Sequence, residues 1–103
     1  MTIMYRQGDV LLVKQDRLPE GARQVNSQEP RIVLAFGEAT GHAHAIGCRS
    51  ATLYRVGHER FLRTEQGATL THEEHAPITL EPGVYRVVRQ REYAPWETRY
   101  VYD

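Results

Sequence analysis

Short apolar segments alternate with turn residues along the whole chain. Glycine and proline recur at close intervals, and the stretches between them are rich in Val, Ile, Leu, Tyr and Thr. No segment holds the 3.6-residue apolar period of an amphipathic helix, so the pattern is typical of an all-β protein. The predicted strands are residues 10–14, 31–36, 42–46, 52–56, 61–64, 68–72, 78–80, 84–90 and 99–102.

The alternation also assigns faces to some of these strands. Val84 and Arg86 share one face and Tyr85 and Val87 the other, because strand side chains repeat every two residues. Residues 54–61 are predicted to form a hairpin around Gly57. We therefore predict a mainly β fold, built as a small β-barrel or sandwich.

The length of 103 residues predicts a single domain over residues 1–103. Residues 18–28 contain few large apolar side chains and are expected to form a loop. Residues 93–103 are rich in aromatic side chains. They are interpreted either as a last strand that closes the sheet or as a contact between copies in a homo-oligomer.

Charge and composition narrow the range of partners. Thirteen basic residues balance thirteen acidic ones, which gives no overall electrostatic reason to expect nucleic acid or an anionic membrane. No apolar run is long enough to span a bilayer, and the N-terminus lacks the apolar stretch of a signal peptide. Cys48 is the only cysteine, so no intramolecular disulfide can form. A reducing, cytoplasmic location is the expectation.

Four of the five histidines fall into two tight clusters, and these are the candidate functional residues. His42 and His44 are two residues apart, so on a strand both imidazoles project to the same side. The small side chains of Ala43 and Ala45 surround them, and Gly41 allows the backbone to bend at the strand entrance. Such an HxH pair offers two metal ligands from one strand.

The second cluster contains His72 and His75, which a regular strand would place on opposite faces. Pro77 follows closely, so we expect the segment to leave the strand in a turn or bulge, where the two rings can converge. Glu73 and Glu74 can supply a ligand, orient an imidazole or act as a general base. They are the candidate catalytic residues.

These clusters predict a divalent transition-metal site with His42, His44, His72 and His75 as ligands. Zn²⁺ fits such a set best, and iron, copper, nickel or manganese would fit with a carboxylate added. Four ligands would close a structural site, whereas three histidines and one glutamate would leave a position open for water or substrate. The alternative is that all four are ordinary histidines with surface or core hydrogen bonds.

Two other reactive side chains carry weaker signals. Cys48 follows His44 by four residues, so a Cys–His nucleophilic pair is conceivable, although a cysteine beside a glycine-rich turn is more often incidental. His58 lies near the predicted hairpin tip, where we expect it to be exposed to solvent.

The element Gly41-His42-Ala43-His44, followed later by the Pro82-Gly83 turn, resembles the HxH strand and Pro-Gly turn of cupins. This resemblance implies a small β-barrel metalloprotein with His42 and His44 as ligands. A cupin also carries a glutamate soon after HxH and a third histidine after the turn, which this chain lacks. Three other stretches resemble a family of small uncharacterised bacterial and phage proteins, which implies no known activity. They are Arg6-Gln7-Gly8-Asp9-Val10, Thr40-Gly41-His42-Ala43-His44-Ala45 and Thr71-His72-Glu73-Glu74-His75-Ala76-Pro77-Ile78.

Three functional hypotheses follow. In the first, a bound metal carries out hydrolysis or oxygen chemistry on a small molecule while Glu73 or Glu74 moves protons. In the second, the domain is a non-catalytic binding or assembly module and self-associates. In the third, single-stranded nucleic acid binds the C-terminal third, and Tyr93 or Trp96 stacks on bases. The arginines that would then contact phosphates are Arg86, Arg89, Arg91 and Arg99. We favour a metal site on a small, self-associating β domain.

Overall fold

The computed structural model describes residues 3–25, 31–36, 42–47 and 49–89. Within these ranges the chain forms ten strands and no helix. The strands are β1 Met4–Gln7, β2 Val10–Gln15, β3 Arg23–Gln24, β4 Arg31–Phe36, β5 Ala43–Gly47, β6 Thr52–Val56, β7 Glu59–Thr64, β8 Ala68–His72, β9 His75–Leu80 and β10 Gly83–Arg89. Nothing in this part of the chain is a helix of the length and apolarity that crossing a membrane requires.

The strands form two antiparallel sheets. The first has six strands in the order β1-β2-β10-β7-β6-β3, and the second has four in the order β4-β5-β8-β9. Neither sheet closes on itself within the described residues, so the architecture resembles a sandwich and not a closed barrel. The prediction of a mainly β fold is confirmed, and of its two forms the sandwich is the one that fits.

Apolar side chains from both sheets meet in one core between them. Leu62 and Tyr85 come from the first sheet and Leu70 from the second, and all three are fully buried. Burying each such leucine contributes about 1.5–3 kcal/mol relative to leaving it exposed. Tyr85 and Val87 point into this core, as the alternation along β10 predicts. Burial raises the pKa of the Tyr85 hydroxyl, which donates a hydrogen bond to the carbonyl oxygen of Glu81 at 2.5 Å.

Most strands lie where the apolar pattern predicts them. β4, β6 and β8 cover the predicted residues, and β2, β5, β7 and β10 differ only at their ends. β9 begins at His75, three residues before its predicted start, because the chain re-enters the sheet directly after a two-residue turn. The predicted strand 99–102, and the whole 93–103 segment, lie outside the described residues.

Two observed strands have no counterpart in the sequence-based prediction. β1 pairs with β2, and β3 falls inside the expected 18–28 loop and pairs with β6. The loop prediction is therefore wrong at Arg23–Gln24. Both side chains of β3 are exposed, so its backbone pairing with β6 leaves no alternation in the sequence.

Two tight turns each contain a glycine in the left-handed region. Gly57 has φ 59° and opens the β6–β7 turn, which confirms the predicted hairpin and leaves His58 exposed. Gly8 also has φ 59° and opens the β1–β2 turn. The β1–β2 turn lies against His44 and His75.

The buried face of β7 gives a direct test of the core. Leu62→Ala should lower the free energy of unfolding by about 2–5 kcal/mol, because it leaves a cavity between the two sheets. Arg63→Ala on the next, exposed position should change it by less than about 0.5 kcal/mol. Urea denaturation followed by circular dichroism measures both. Equal losses for the two variants would contradict the assignment of faces.

Candidate metal centre

Two parts of the chain supply the four predicted ligands, the entrance of β5 and the β8–β9 hairpin, and the β1–β2 turn lies against them. The ring centroid of His72 lies 4.3 Å from that of His44, 4.6 Å from that of His75 and 5.6 Å from that of His42. The rings of His44 and His75 are 5.7 Å apart. The two histidine pairs therefore meet, with His72 in the middle.

The β8–β9 hairpin explains how a spacing of three residues brings two histidines together. β8 ends at His72 and β9 begins at His75, and the two residues are cross-strand partners on either side of the Glu73–Glu74 turn. Cross-strand partners project to the same face of the sheet. A register shift between Leu70 and His72 adjusts the strand just before the turn. The expected turn or bulge is confirmed.

The most compact donor set in this cluster contains two imidazoles and one carboxylate. Among the described residues, His42, His72 and Glu73 each offer one ligand atom, and these three atoms lie within 4.8 Å of one another. His44 and His75 lie beside this set. The four predicted histidines thus share one cluster. Its most compact donor group contains two of them, His42 and His72, together with Glu73.

His42 is oriented by the neighbouring hairpin. Its Nδ1 atom lies 3.0 Å from a carboxylate oxygen of Glu74, and because a carboxylate can only accept, the Nδ1–H is the donor. The neutral ring then carries its lone pair on Nε2. A carboxylate behind the imidazole is a common arrangement for histidines that bind metal ions.

His44 is oriented by the buried side chain of Gln7. The Nε2 amide of Gln7 donates to the carbonyl oxygens of Leu70 at 3.1 Å and Ala76 at 3.0 Å. Its Oε1 atom therefore faces His44 and accepts a hydrogen bond from the Nδ1–H at 2.9 Å. This hydrogen bond places the lone pair of neutral His44 on Nε2. The bond to Glu74 does the same for His42.

Burial keeps His44 neutral. Desolvation, followed by the proximity of His72, lowers the pKa of His44 from 6.5 to about 4. The Asp9 carboxylate, whose Oδ1 lies 3.7 Å from the His44 Nε2, acts in the opposite direction but does not reverse the effect. At neutral pH the ring is therefore in the state that can bind a metal ion.

The remaining cluster residues have different roles. The His72 Nδ1 accepts the backbone N–H of Glu74 at 2.9 Å, so the proton of the neutral ring lies on Nε2. Glu73 accepts the backbone N–H of Ala43 at 2.9 Å, and this bond lowers the pKa of its exposed carboxyl. Glu73 therefore remains ionised beside the histidines. Catalytic roles for Glu73 and Glu74 stay predictions.

The β1–β2 turn contributes residues that sequence reasoning missed. Asp9 lies between His44 and Arg89, whose Nη2 is 3.3 Å from the second carboxylate oxygen. A side chain at Gly8 would displace a histidine ring, because a Cβ there would lie 2.9 Å from the His75 Nε2 and 3.1 Å from the His44 Cε1. The only signal that the sequence analysis found here is the resemblance of residues 6–10 to a family of small uncharacterised proteins.

Several other predicted residues lie outside the cluster. Cys48 and the aromatic residues Tyr93 and Trp96 fall outside the described ranges, as do Arg91 and Arg99. Of the arginines assigned to nucleic acid, Arg86 contacts Glu59 at 3.2 Å and Arg89 contacts Asp9. The nucleic-acid hypothesis gains no support from these two ion pairs.

Comparison with known proteins gives a family and no activity. The model of a family described as a domain of unknown function, DUF8820, matches residues 6–90. That range includes every residue of the cluster. No curated protein and no solved structure matches the chain, so the likeness to cupins stays a prediction.

The lowered pKa of His44 predicts how stability depends on pH. The unfolded chain binds a proton at this side chain near pH 6.5, whereas the folded protein does so only near pH 4. Between these values the unfolded state holds more protons, so stability should fall as the pH falls. The expected loss is on the order of 2–3 kcal/mol across the window.

Urea unfolding of the metal-free protein between pH 4 and pH 7 measures this loss. His44→Gln should flatten the pH dependence, whereas His58→Gln, which changes an exposed histidine, should leave it unchanged. The interpretation is wrong if all three proteins lose stability equally over this range.

The contact of Gly8 with the histidines is isolated by a matched pair of variants. Gly57→Ala introduces the same backbone strain at the same φ but meets no described atom within 4 Å, and should cost about 1–2 kcal/mol. Gly8→Ala should cost roughly 1–3 kcal/mol more, because its methyl group overlaps the rings of His44 and His75. Histidine side-chain NMR shifts should move only in the Gly8 variant. An equal cost for both would refute the close approach.

Proposed function

Because this chain belongs to the DUF8820 family, whose function is unknown, its role has to be inferred from its own residues, and we propose that it binds a divalent transition-metal ion. The first ligands are His42, His72 and Glu73. The observation that carries the proposal is the convergence of their three donor atoms within 4.8 Å of one another. Each comes from a turn or strand end that the fold holds in place.

The protonation state of these donors suits a cation. Glu74 accepts from the Nδ1–H of His42, which puts the lone pair of that ring on Nε2. The bond from the Ala43 N–H keeps Glu73 ionised. Neutral imidazole and ionised carboxylate are the forms that bind a metal ion. Two of the three ligands therefore need no change of protonation.

His72 is the ligand that has to adjust. Its Nδ1 accepts the Glu74 N–H, so it can coordinate through Nδ1 only by giving up that hydrogen bond, or through Nε2 only after the proton has moved from Nε2 to Nδ1, which breaks the same bond. The side chain of His72 lies at the end of β8, next to an exposed two-residue turn. Such a position allows the ring to reorient without disturbing the core.

The donor set favours Zn²⁺ among the first-row ions. Two histidines and one glutamate form a known catalytic type of zinc site, and Zn²⁺ binds such ligands more tightly than Mn²⁺ or Fe²⁺. Iron, nickel and manganese remain alternatives with the same ligands. Three protein ligands leave at least one position open, where a bound ion supplies an acidified water molecule or binds a small substrate.

Glu74 is then the carboxylate placed to move protons near the ion. It contacts His42 at 3.0 Å, and its side chain is 65% exposed, so it can exchange protons with solvent. Glu73 cannot serve as a general base while it is a ligand. The two glutamates of the turn therefore take different roles, one as ligand and one as proton carrier.

Metal binding by untagged protein tests the proposal. After removal of bound metal, Zn²⁺ is titrated against a competing chromogenic chelator, and the protein should bind at least one equivalent. His72→Ala should weaken binding by more than about 100-fold, because a lost ligand should cost more than the loss of a group that merely orients one.

His58→Ala provides the matched control, since it removes an exposed histidine outside the cluster. It should bind zinc as the parent protein does. Circular dichroism confirms that each variant is folded. Binding that is absent from the parent protein, or that survives His72→Ala unchanged, would rule the site out.

A further inference from the structure

We propose that the cluster holds a second divalent transition-metal ion, bound by His44, His75 and Asp9, so that the centre is binuclear. This inference rests on the proposed function, because the first ion occupies the neighbouring set. Each histidine pair would then contribute one ligand to each ion. Each ion would have two imidazoles and one carboxylate.

Two donors of the second set, the Nε2 atoms of His75 and His44, border one small space over Gly8. The position that a Cβ of Gly8 would occupy lies 2.9 Å from the His75 Nε2 and 3.4 Å from the His44 Nε2. The Asp9 Oδ1 lies 3.7 Å from the same His44 atom. The glycine thus leaves open a region next to both ring nitrogens, and next to the His44 Cε1 atom at 3.1 Å, that any side chain would fill.

The surrounding residues prepare these donors. Gln7 accepts from the His44 Nδ1–H and so places the lone pair on Nε2, the atom that faces Asp9. Arg89 lies 3.3 Å from the Asp9 Oδ2, which directs the other oxygen, Oδ1, toward His44. Two of the three ligands, His44 and Asp9, thus have a group that orients them from behind, which is characteristic of built metal sites.

The two sets are close enough to form one centre. The ring of His72 in the first set lies 4.3 Å from the ring of His44 in the second. Paired metal ions in binuclear enzymes are about 3.5–4 Å apart. Three carboxylates, those of Asp9, Glu73 and Glu74, lie around the rings and would balance most of the charge of two dications.

The second set is wider than the first. The rings of His44 and His75 are 5.7 Å apart and inclined by 25°, and no compact three-donor group forms around them among the residues that the structure describes. We therefore expect the second ion to bind more weakly than the first, and the two binding steps to separate in a titration.

Metal stoichiometry tests the binuclear centre. Metal-free, untagged protein is titrated with Zn²⁺ by calorimetry, and the complexes are counted by native mass spectrometry. The parent protein should bind two equivalents. Asp9→Asn and His75→Ala should each bind one, at the affinity of the tighter step. Asp16→Asn, which changes an exposed aspartate outside the cluster, should bind two.

The outcomes separate this inference from the proposed function. A single equivalent in the parent protein, unchanged in Asp9→Asn and His75→Ala, overturns the second ion and leaves the first site standing. No binding at all overturns both. Loss of both equivalents in folded Asp9→Asn or His75→Ala would show one shared site and also overturn the binuclear centre. His75→Ala decides the matter if Asp9→Asn fails to fold, since its side chain is exposed at the hairpin.

Discussion

The buried amide of Gln7 is the interaction on which the arrangement of the histidines depends. Its side chain is almost fully buried between the two sheets and bonds to residues 63, 69 and 37 positions away in the chain. Turning the amide over would place its oxygen against two carbonyl oxygens and leave its NH₂ group facing a ring N–H, which is costly inside a protein. One orientation is therefore strongly preferred, and it determines which nitrogen of His44 is protonated. A residue of the first sheet, Gln7, thus sets the protonated nitrogen of His44 in the second sheet.

The cluster combines two opposing electrostatic demands. His44 packs against the rings of His72 and His75, and both its burial and the nearness of His72 disfavour a proton on it. The carboxylates of Asp9, Glu73 and Glu74 lie on the more exposed side and favour positive charge there. The cluster therefore brings imidazole nitrogens and carboxylate oxygens together, and the proposed cation would complement this arrangement.

The sequence predicted the parts of this molecule that depend on local pattern. β4, β6 and β8 are flanked by turn residues and rich in buried apolar side chains, and the spacing of the histidines identified both pairs. β1 and β3 were not predicted, because their exposed or polar side chains give no alternation, although backbone pairing makes them strands. Gln7 and Asp9 were not predicted as site residues for a different reason. Their roles arise only when the β1–β2 turn packs against strands more than thirty residues away, and nothing local to them signals that contact.

Gly8 has an evolutionary consequence. A glycine in a left-handed turn is usually explained by its backbone alone, and an asparagine can often replace it. Here a side chain would also press against the rings of His44 and His75, which disfavours that replacement further. A relative with a larger residue at this position would need a smaller one opposite, most simply at position 75. Positions 8 and 75 should therefore diverge together, and relatives that have lost the glycine should also have lost the histidine.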